Sequence, residues 1–222
     1  MDDFSVARTK MVDSQLRTEA VTDYDILAVM GRIPREQFVP PHQRALAYVD
    51  SDIPIKSGGD GVPRYLMEAA PFGRLLQLAE IDKSDLVLDI GCGSGYSTAV
   101  LAALANFVVG LESDAELAAQ ARTNLAVLRI DNAKIVNGVL DDGHPSEGPY
   151  DVIFIGGAVE VLPAAMFEQL REGGRLVAVI GYGRSAMATL YTKSENQIGR
   201  RMAFNADVRP LPGFRKPEVF VF

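Results

Sequence analysis

The chain has one cysteine, no tryptophan and only two histidines. A lone thiol, Cys92, excludes an intramolecular disulfide and suits a reducing compartment. His42 and His144 lie apart in proline-rich stretches, and no cysteine or carboxylate cluster joins them, so no metal site is expected. No run of about 18 apolar residues is present to span a bilayer. The opening MDDFSVARTK lacks the apolar core of a secretory signal, so the expected compartment is the cytoplasm. Positive charge is also scarce: 22 basic residues against 29 acidic ones leave a net charge of −7. Neither nucleic acid nor a membrane surface is therefore an expected partner, although Arg200 and Arg201 make a local basic pair. Apolar residues are plentiful, at 48% of 222, enough for the core of a single domain.

The most informative stretch is DLVLDIGCGSG, Asp85 to Gly95. Leu86, Val87, Leu88 and Ile90 form the short apolar run of a doubly covered parallel strand, with Asp89 near its end. Gly91, Gly93 and Gly95 then turn the chain into an alanine-rich helix, Tyr96 to Leu104. Glycines there permit positive φ and let a ligand approach the backbone, while the helix start presents unpaired N–H groups. A dinucleotide fold wants its third glycine one residue later, where this chain has the bulky Tyr96. Phe107 to Leu111 make a second buried strand ending in Glu112, an acid placed to accept both hydroxyls of a ribose. Ser113 to Glu116 read as a capping box for a helix with Leu117, Ala121, Leu125 and Leu128 on one face. Cys92 and Ser94 fill loop positions that need small side chains, and Cys92 is read as filler, not as a nucleophile.

The rest of the chain frames this unit. Residues 4 to 31 read as two helical segments, 33 to 61 as mostly loop, and 64 to 80 as a helix that Pro71 and Gly73 should kink. Further strands are expected at Lys134–Val136, Tyr150–Ile155 and Arg175–Ile180, with a short helix over Pro163–Leu170. A hairpin follows, Met187–Thr192 and Arg200–Phe204, and Glu218–Phe222 adds a last strand. Helices first, alternating β/α core, antiparallel finish: the pattern predicts an α/β three-layer sandwich. One domain is expected over 1–222, with 1–84 as a substrate-side region and 85–206 as the cofactor-binding core. Met11, Met30, Met67 and Met166 are expected in the core.

The D-x-G-x-G-x-G spacing resembles motif I of the class I S-adenosylmethionine (AdoMet) methyltransferases, whose Rossmann-like sheet is mostly parallel. More specifically, MVDSQLR (11–17), IPREQFVP (33–40), Ile53–Ile55, YDVIFIGGA and EGGRLVAVIG resemble segments of the protein-L-isoaspartate O-methyltransferase family, over residues 11 to about 212. The resemblance implies AdoMet as cofactor, S-adenosyl-L-homocysteine as product and an isoaspartyl peptide or protein as acceptor. It implies cofactor contacts from Asp89, Gly91, Cys92, Gly93, Ser94, Gly95, Tyr96, Glu112, Ser113, Gly138, Val139 and Leu140. Substrate contacts would come from Ile55, Gly61, Pro63 and Arg64.

Two positions depart from the family. Its T-I-S-x-P sequence places a hydroxyl beside the transferred methyl; aligned on Pro63, the serine is Gly61 and the threonine Gly59, leaving Ser57 as the nearest hydroxyl candidate. Its G-D-G-x-x-G aspartate, which contacts adenine, is Val139. Arg64 stands where relatives carry an aromatic residue, and is read either as a partner for an acidic substrate or as a solvated helix start. Three functions follow for test: an isoaspartyl carboxyl methyltransferase, an AdoMet methyltransferase with another acceptor, or a non-catalytic AdoMet-binding protein.

Overall fold

The computed structural model describes residues 4–57 and 62–216. Helix α1 (Ser5–Met11) runs on through a wide turn and a 3-10 turn, and α2 (Tyr24–Met30) follows. Asp23 begins α2 by accepting the N–H groups of Asp25 and Ile26.

The next segment departs from expectation. Strands β1 (Ile53–Lys56) and β2 (Arg64–Leu66) pair antiparallel, where the sequence pattern predicts loop and helix. Three or four residues are too few for a period of two to stand out. Helix α3 (Ala69–Ala79) starts later and runs unbroken through Pro71 and Gly73. Pro71 occupies the first turn, where its missing N–H would have no partner anyway.

Seven strands form the central sheet: β3 (Leu86–Ile90), β4 (Phe107–Glu112), β5 (Ala133–Asn137), β6 (Tyr150–Val159), β7 (Leu170–Ile180), β8 (Met187–Ser194) and β9 (Gln197–Asn205). Their order is β5-β4-β3-β6-β7-β8-β9. The first five run parallel, and β8 and β9 are antiparallel. Helices α4 (Tyr96–Leu104) and α5 (Ala115–Val127) make the crossovers of the β3–β4–β5 half.

Alternation along the strands creates two cores. Val87, Val108, Val152, Phe154 and Val177 pack with α2, α3, α4 and α5 on one face. Leu88, Val109, Ile153, Ile155 and Leu176 pack on the other, with Met166 of the short α6 (Ala164–Glu168) and with Leu211 and Phe214 from the C-terminal segment. The three-layer plan therefore holds, with unequal outer layers. The chain after β5 and after β7 makes only 3-10 turns, Pro145–Glu147 and Gly183–Ser185, so irregular backbone covers much of the second face. Met11, Met30 and Met166 are buried in these cores, and Met67 is half-buried.

Other boundaries shift for local reasons. β6 does not stop at Gly156 but runs through Gly157, where a Cβ would lie 2.8 Å from the Arg209 carbonyl and 2.7 Å from Leu211. Glycine there admits a neighbouring segment without ending the strand. The cap of α5 is Asp114, which accepts the N–H groups of Glu116 and Leu117; Ser113 is not the cap. The strand expected over Glu218–Phe222, and the positions Gly59 and Gly61, lie outside the described residues.

Candidate cofactor groove

The carboxyl ends of β3 and β4 lie side by side, Ile90 opposite Leu111, and this register brings the glycine loop against Glu112. Gly91 and Cys92 both donate to the Leu111 carbonyl, and Gly95 donates to that of Cys92, which closes the turn. Gly91, Gly93 and Gly95 all adopt positive φ, at 79°, 56° and 94°. Gly95 also lets α4 meet α5: a Cβ there would stand 3.0 Å from that of Ala121. The glycine read as one residue early for a dinucleotide fold thus still serves helix packing. Ser94 is buried; its hydroxyl donates to the Phe38 carbonyl at 2.6 Å, and its own carbonyl accepts from Asn124.

Asp89 points to the α4 face, fully buried. Its Oδ2 accepts the hydroxyls of Ser97 (2.7 Å) and Thr98 (2.6 Å), and its Oδ1 has no hydrogen-bond partner. Two side chains of the first helical turn thus tie this carboxyl to the glycine loop's exit. Burial pushes the Asp89 carboxyl up to about 6; the Thr98 and Ser97 hydroxyls pull against this, and the Glu112 charge adds to it. Cys92 is buried, and burial raises its thiol well above the ordinary range, which suits filler and not a nucleophile.

Tyr96 is enclosed as well. Its ring meets Phe38 edge-on at 5.4 Å and Phe72 at 5.6 Å, and the Arg35 guanidinium lies 5.0 Å from its centroid. It packs on the core and at the same time lines a cavity of about 30 Å³ with Gly91, Cys92, Ser97 and Gly156. That space suits about two waters, not a nucleoside.

Glu112 is where the structure differs most from expectation. The side chain is 0% exposed and already takes four donors. Its Oε1 accepts from Arg64 Nη1 at 2.5 Å, from the Asp114 N–H at 3.0 Å and from the Ser113 hydroxyl at 3.4 Å; its Oε2 accepts from the Gly93 N–H at 2.8 Å. Arg64 is not at a solvated helix start. It sits on β2, 5% exposed, and its Nη2 also donates to the Gly91 carbonyl at 3.1 Å. One guanidinium therefore bridges the two groups that bound the groove. Apolar side chains complete the filling: a Cβ on Gly91 would meet Leu211 at 2.7 Å, and one on Gly93 would meet Ile55 at 2.8 Å. Nothing in composition signals these contacts except Arg64 itself, a lone cation in the apolar stretch VPRYLM.

The remaining positions are dispersed around the rim. Ser57 and Pro63 are exposed, and Ser57 lines an outer cavity of about 240 Å³ with Lys56, Val62, Arg64, Ser113, Asp114 and Pro212. Lys56 ties β1 to the start of α5 through Asp114 (2.6 Å) and Glu116 (2.8 Å). Gly138 follows β5 and donates to the Glu112 carbonyl, Val139 is 57% exposed, and the Leu140 side chain is buried in the second core. His42 is exposed and His144 half-buried; among the described residues no group of three or more His, Cys, Asp or Glu is placed to hold a metal ion.

A mostly parallel seven-stranded sheet, turning through glycines after its central strand beside an acid on the next, defines a class I methyltransferase fold. Comparison narrows this. The model of the protein-L-isoaspartate(D-aspartate) O-methyltransferase family matches residues 7–211, and the chain belongs to that family. A protein-L-isoaspartate O-methyltransferase of Koribacter versatilis is 36% identical over 210 residues, 95% of this chain and 92% of its own. One from Marinobacter nauticus is 38% identical over 212 residues, 95% and 94% of the two chains. A solved protein-L-isoaspartate O-methyltransferase superposes with a TM-score of 0.80 at 27% identity, covering 93% of this chain and 66% of that one. A Plasmodium falciparum structure in complex with S-adenosyl-L-homocysteine shares the fold, with a TM-score of 0.76 at 21% identity over 91% and 96%.

The groove residues fit a sulfonium nucleoside in kind: an acid at the end of β4, backbone free of Cβ at Gly91 and Gly93, and an unpartnered buried oxygen on Asp89. In the conformation described, Arg64, Ile55 and Leu211 stand in the same space.

Proposed function

We propose that this protein methylates the free carboxylate of isoaspartyl residues in damaged, flexible segments of other proteins, using AdoMet. Family membership over residues 7–211 carries the reading, and the motif I turn beside Glu112 supports it. When bound, the cofactor supplies an electrophilic methyl carbon and a neutral thioether leaving group. An ionised carboxylate attacks without giving up a proton, so the chain has to supply alignment and dry surroundings, not a general base. That is consistent with a site in which Ser57 is the nearest hydroxyl candidate and no side chain is assigned as catalytic. Gly91, Gly93 and Gly95 border the methionine part, Glu112 accepts the ribose hydroxyls, and the backbone of Gly138 to Leu140 borders the adenine. Esterification turns a poor leaving group into methoxide, the neighbouring backbone nitrogen closes a succinimide, and its reopening restores some normal aspartate.

The same reading places the enzyme in the cytoplasm, supported by its single thiol; among the described residues no helix is long and apolar enough to cross a membrane. The test is transfer of a radiolabelled methyl group to an isoaspartyl peptide, with the matching aspartyl peptide as control and a Gly61→Ser variant run beside the natural chain. Labelling of the isoaspartyl peptide alone is the expected result. Absence of labelling in both proteins, although both bind S-adenosyl-L-homocysteine, would point to a different acceptor.

A further inference from the structure

The described conformation has its ribose-binding acid already occupied by a cation of its own. We propose that Arg64 is an internal competitor of the cofactor: its guanidinium holds the ribose subsite closed, and the nucleoside enters only when Arg64 leaves Glu112. The inference rests on the methyltransferase reading and adds a gate to its site.

Three observations carry it. First, Arg64 touches both ends of the subsite at once, Glu112 at 2.5 Å and the Gly91 carbonyl at 3.1 Å. Second, Oε1 of Glu112 already takes Arg64, the Asp114 N–H and the Ser113 hydroxyl, and Oε2 takes the Gly93 N–H, so a pair of incoming hydroxyls would have to displace the charged donor. Third, the space on either side is divided. The inner cavity of about 30 Å³ includes Ile55 in its lining, the outer one of about 240 Å³ includes Arg64, and neither spans from Gly91 to Ser113.

The strap that carries Arg64 is itself fastened. Lys56 holds β1 to Asp114 and Glu116. Arg209 holds the C-terminal segment to Asp52 at 3.1 Å and lies 4.9 Å from the centroid of Tyr65, next to Arg64. Both cation–carboxylate ties are partly or largely solvated, so they add little to stability and release readily. The inner pair, by contrast, is dry, and its opening sets the fraction of molecules competent to bind. Apparent affinity falls by that fraction, and a change that removes the guanidinium restores it.

The experiment is isothermal titration of S-adenosyl-L-homocysteine into the natural chain, Arg64→Ala and Arg64→Lys. Lysine keeps a charge but cannot donate to Glu112 and Gly91 together as a planar fork does. Affinity is expected to rise from the natural chain through Arg64→Lys to Arg64→Ala, by at least tenfold from the first to the last. If Arg64→Ala fails to fold, tighter binding by Arg64→Lys alone decides the matter. Equal or weaker binding by the variants, with the natural chain binding well, overturns the gate and leaves the methyltransferase reading standing. No binding by any of the three overturns both.

Discussion

The floor and the roof of the groove are built by different rules. The floor, β3–α4–β4–α5, is local: each strand passes through a short turn into the helix that covers it, and the pairing of Ile90 with Leu111 sets the loop against Glu112. The roof comes from segments far apart in the chain, β1–β2 and residues 206–214. Side chains such as Arg64, Ile55 and Leu211, which reach across to glycines, hold it in place. A floor of this kind offers glycine backbone and one buried acid. The roof, with Arg64, Ile55 and Leu211, fills the space above them.

The sharpest way to break that comparison is at the buried ion pair joining the two, Arg64 with Glu112. In Glu112→Gln the Gly93 N–H keeps an acceptor while Arg64 is left as a buried cation with no counter-charge. Breaking a buried pair from one side costs about 3–5 kcal/mol. Adding Arg64→Met to that variant removes the stranded charge, so urea unfolding should show the double variant more stable than Glu112→Gln alone. A double variant whose loss equals the sum of the two single losses would show that floor and roof are not coupled through this pair.

This division also explains what could be read from the chain beforehand. The βαβα floor was legible because helical periodicity, an apolar strand and a glycine turn are contiguous: Tyr96–Leu104 and Phe107–Glu112 fell where expected. The roof was not. β1 and β2 are too short to show a period, and Arg64 looked solvated because its partner lies 48 residues away. Ser113 was read as the cap of α5 by its place in S-x-x-E, whereas Asp114, one residue on, donates no register clue yet has the better-placed carboxylate. Leu211 gave no signal at all, since its role depends on passing between Gly91 and Gly157.

A smaller effect tests the floor by itself. Asp89 has a folded pKa of about 6 through burial, above the ordinary carboxylate value of about 3.9. Between those values the native state binds more protons than the unfolded one, so stability rises as pH falls from 7 to 5. The share due to this group is about 1.4 kcal/mol. Asp89→Asn has no proton to take up there, and its urea midpoint should gain less than that of the natural chain over the same interval. Identical pH profiles for the two proteins would mean that the carboxyl titrates near its ordinary value and that its orphaned oxygen reaches water.

The smallest expected change in stability lies at the rim, and it separates fold from recognition. Val139 is 57% exposed, and the family resemblance implies an adenine-contacting aspartate at its position. Replacing an exposed valine after a strand end disturbs no core contact, so Val139→Asp should unfold within about 0.5 kcal/mol of the natural chain. A carboxylate there offers the adenine amino group an acceptor, and one such bond contributes about 0.5–1.5 kcal/mol net. The affinity for S-adenosyl-L-homocysteine should therefore rise about two- to tenfold by calorimetry. The gain should be similar in an Arg64→Ala background, because Val139 lies beyond the end of β5 while Glu112 ends β4. A gain seen only after Arg64 is removed would place the adenine rim behind the same gate and make the roof, not the floor, the governor of the whole groove.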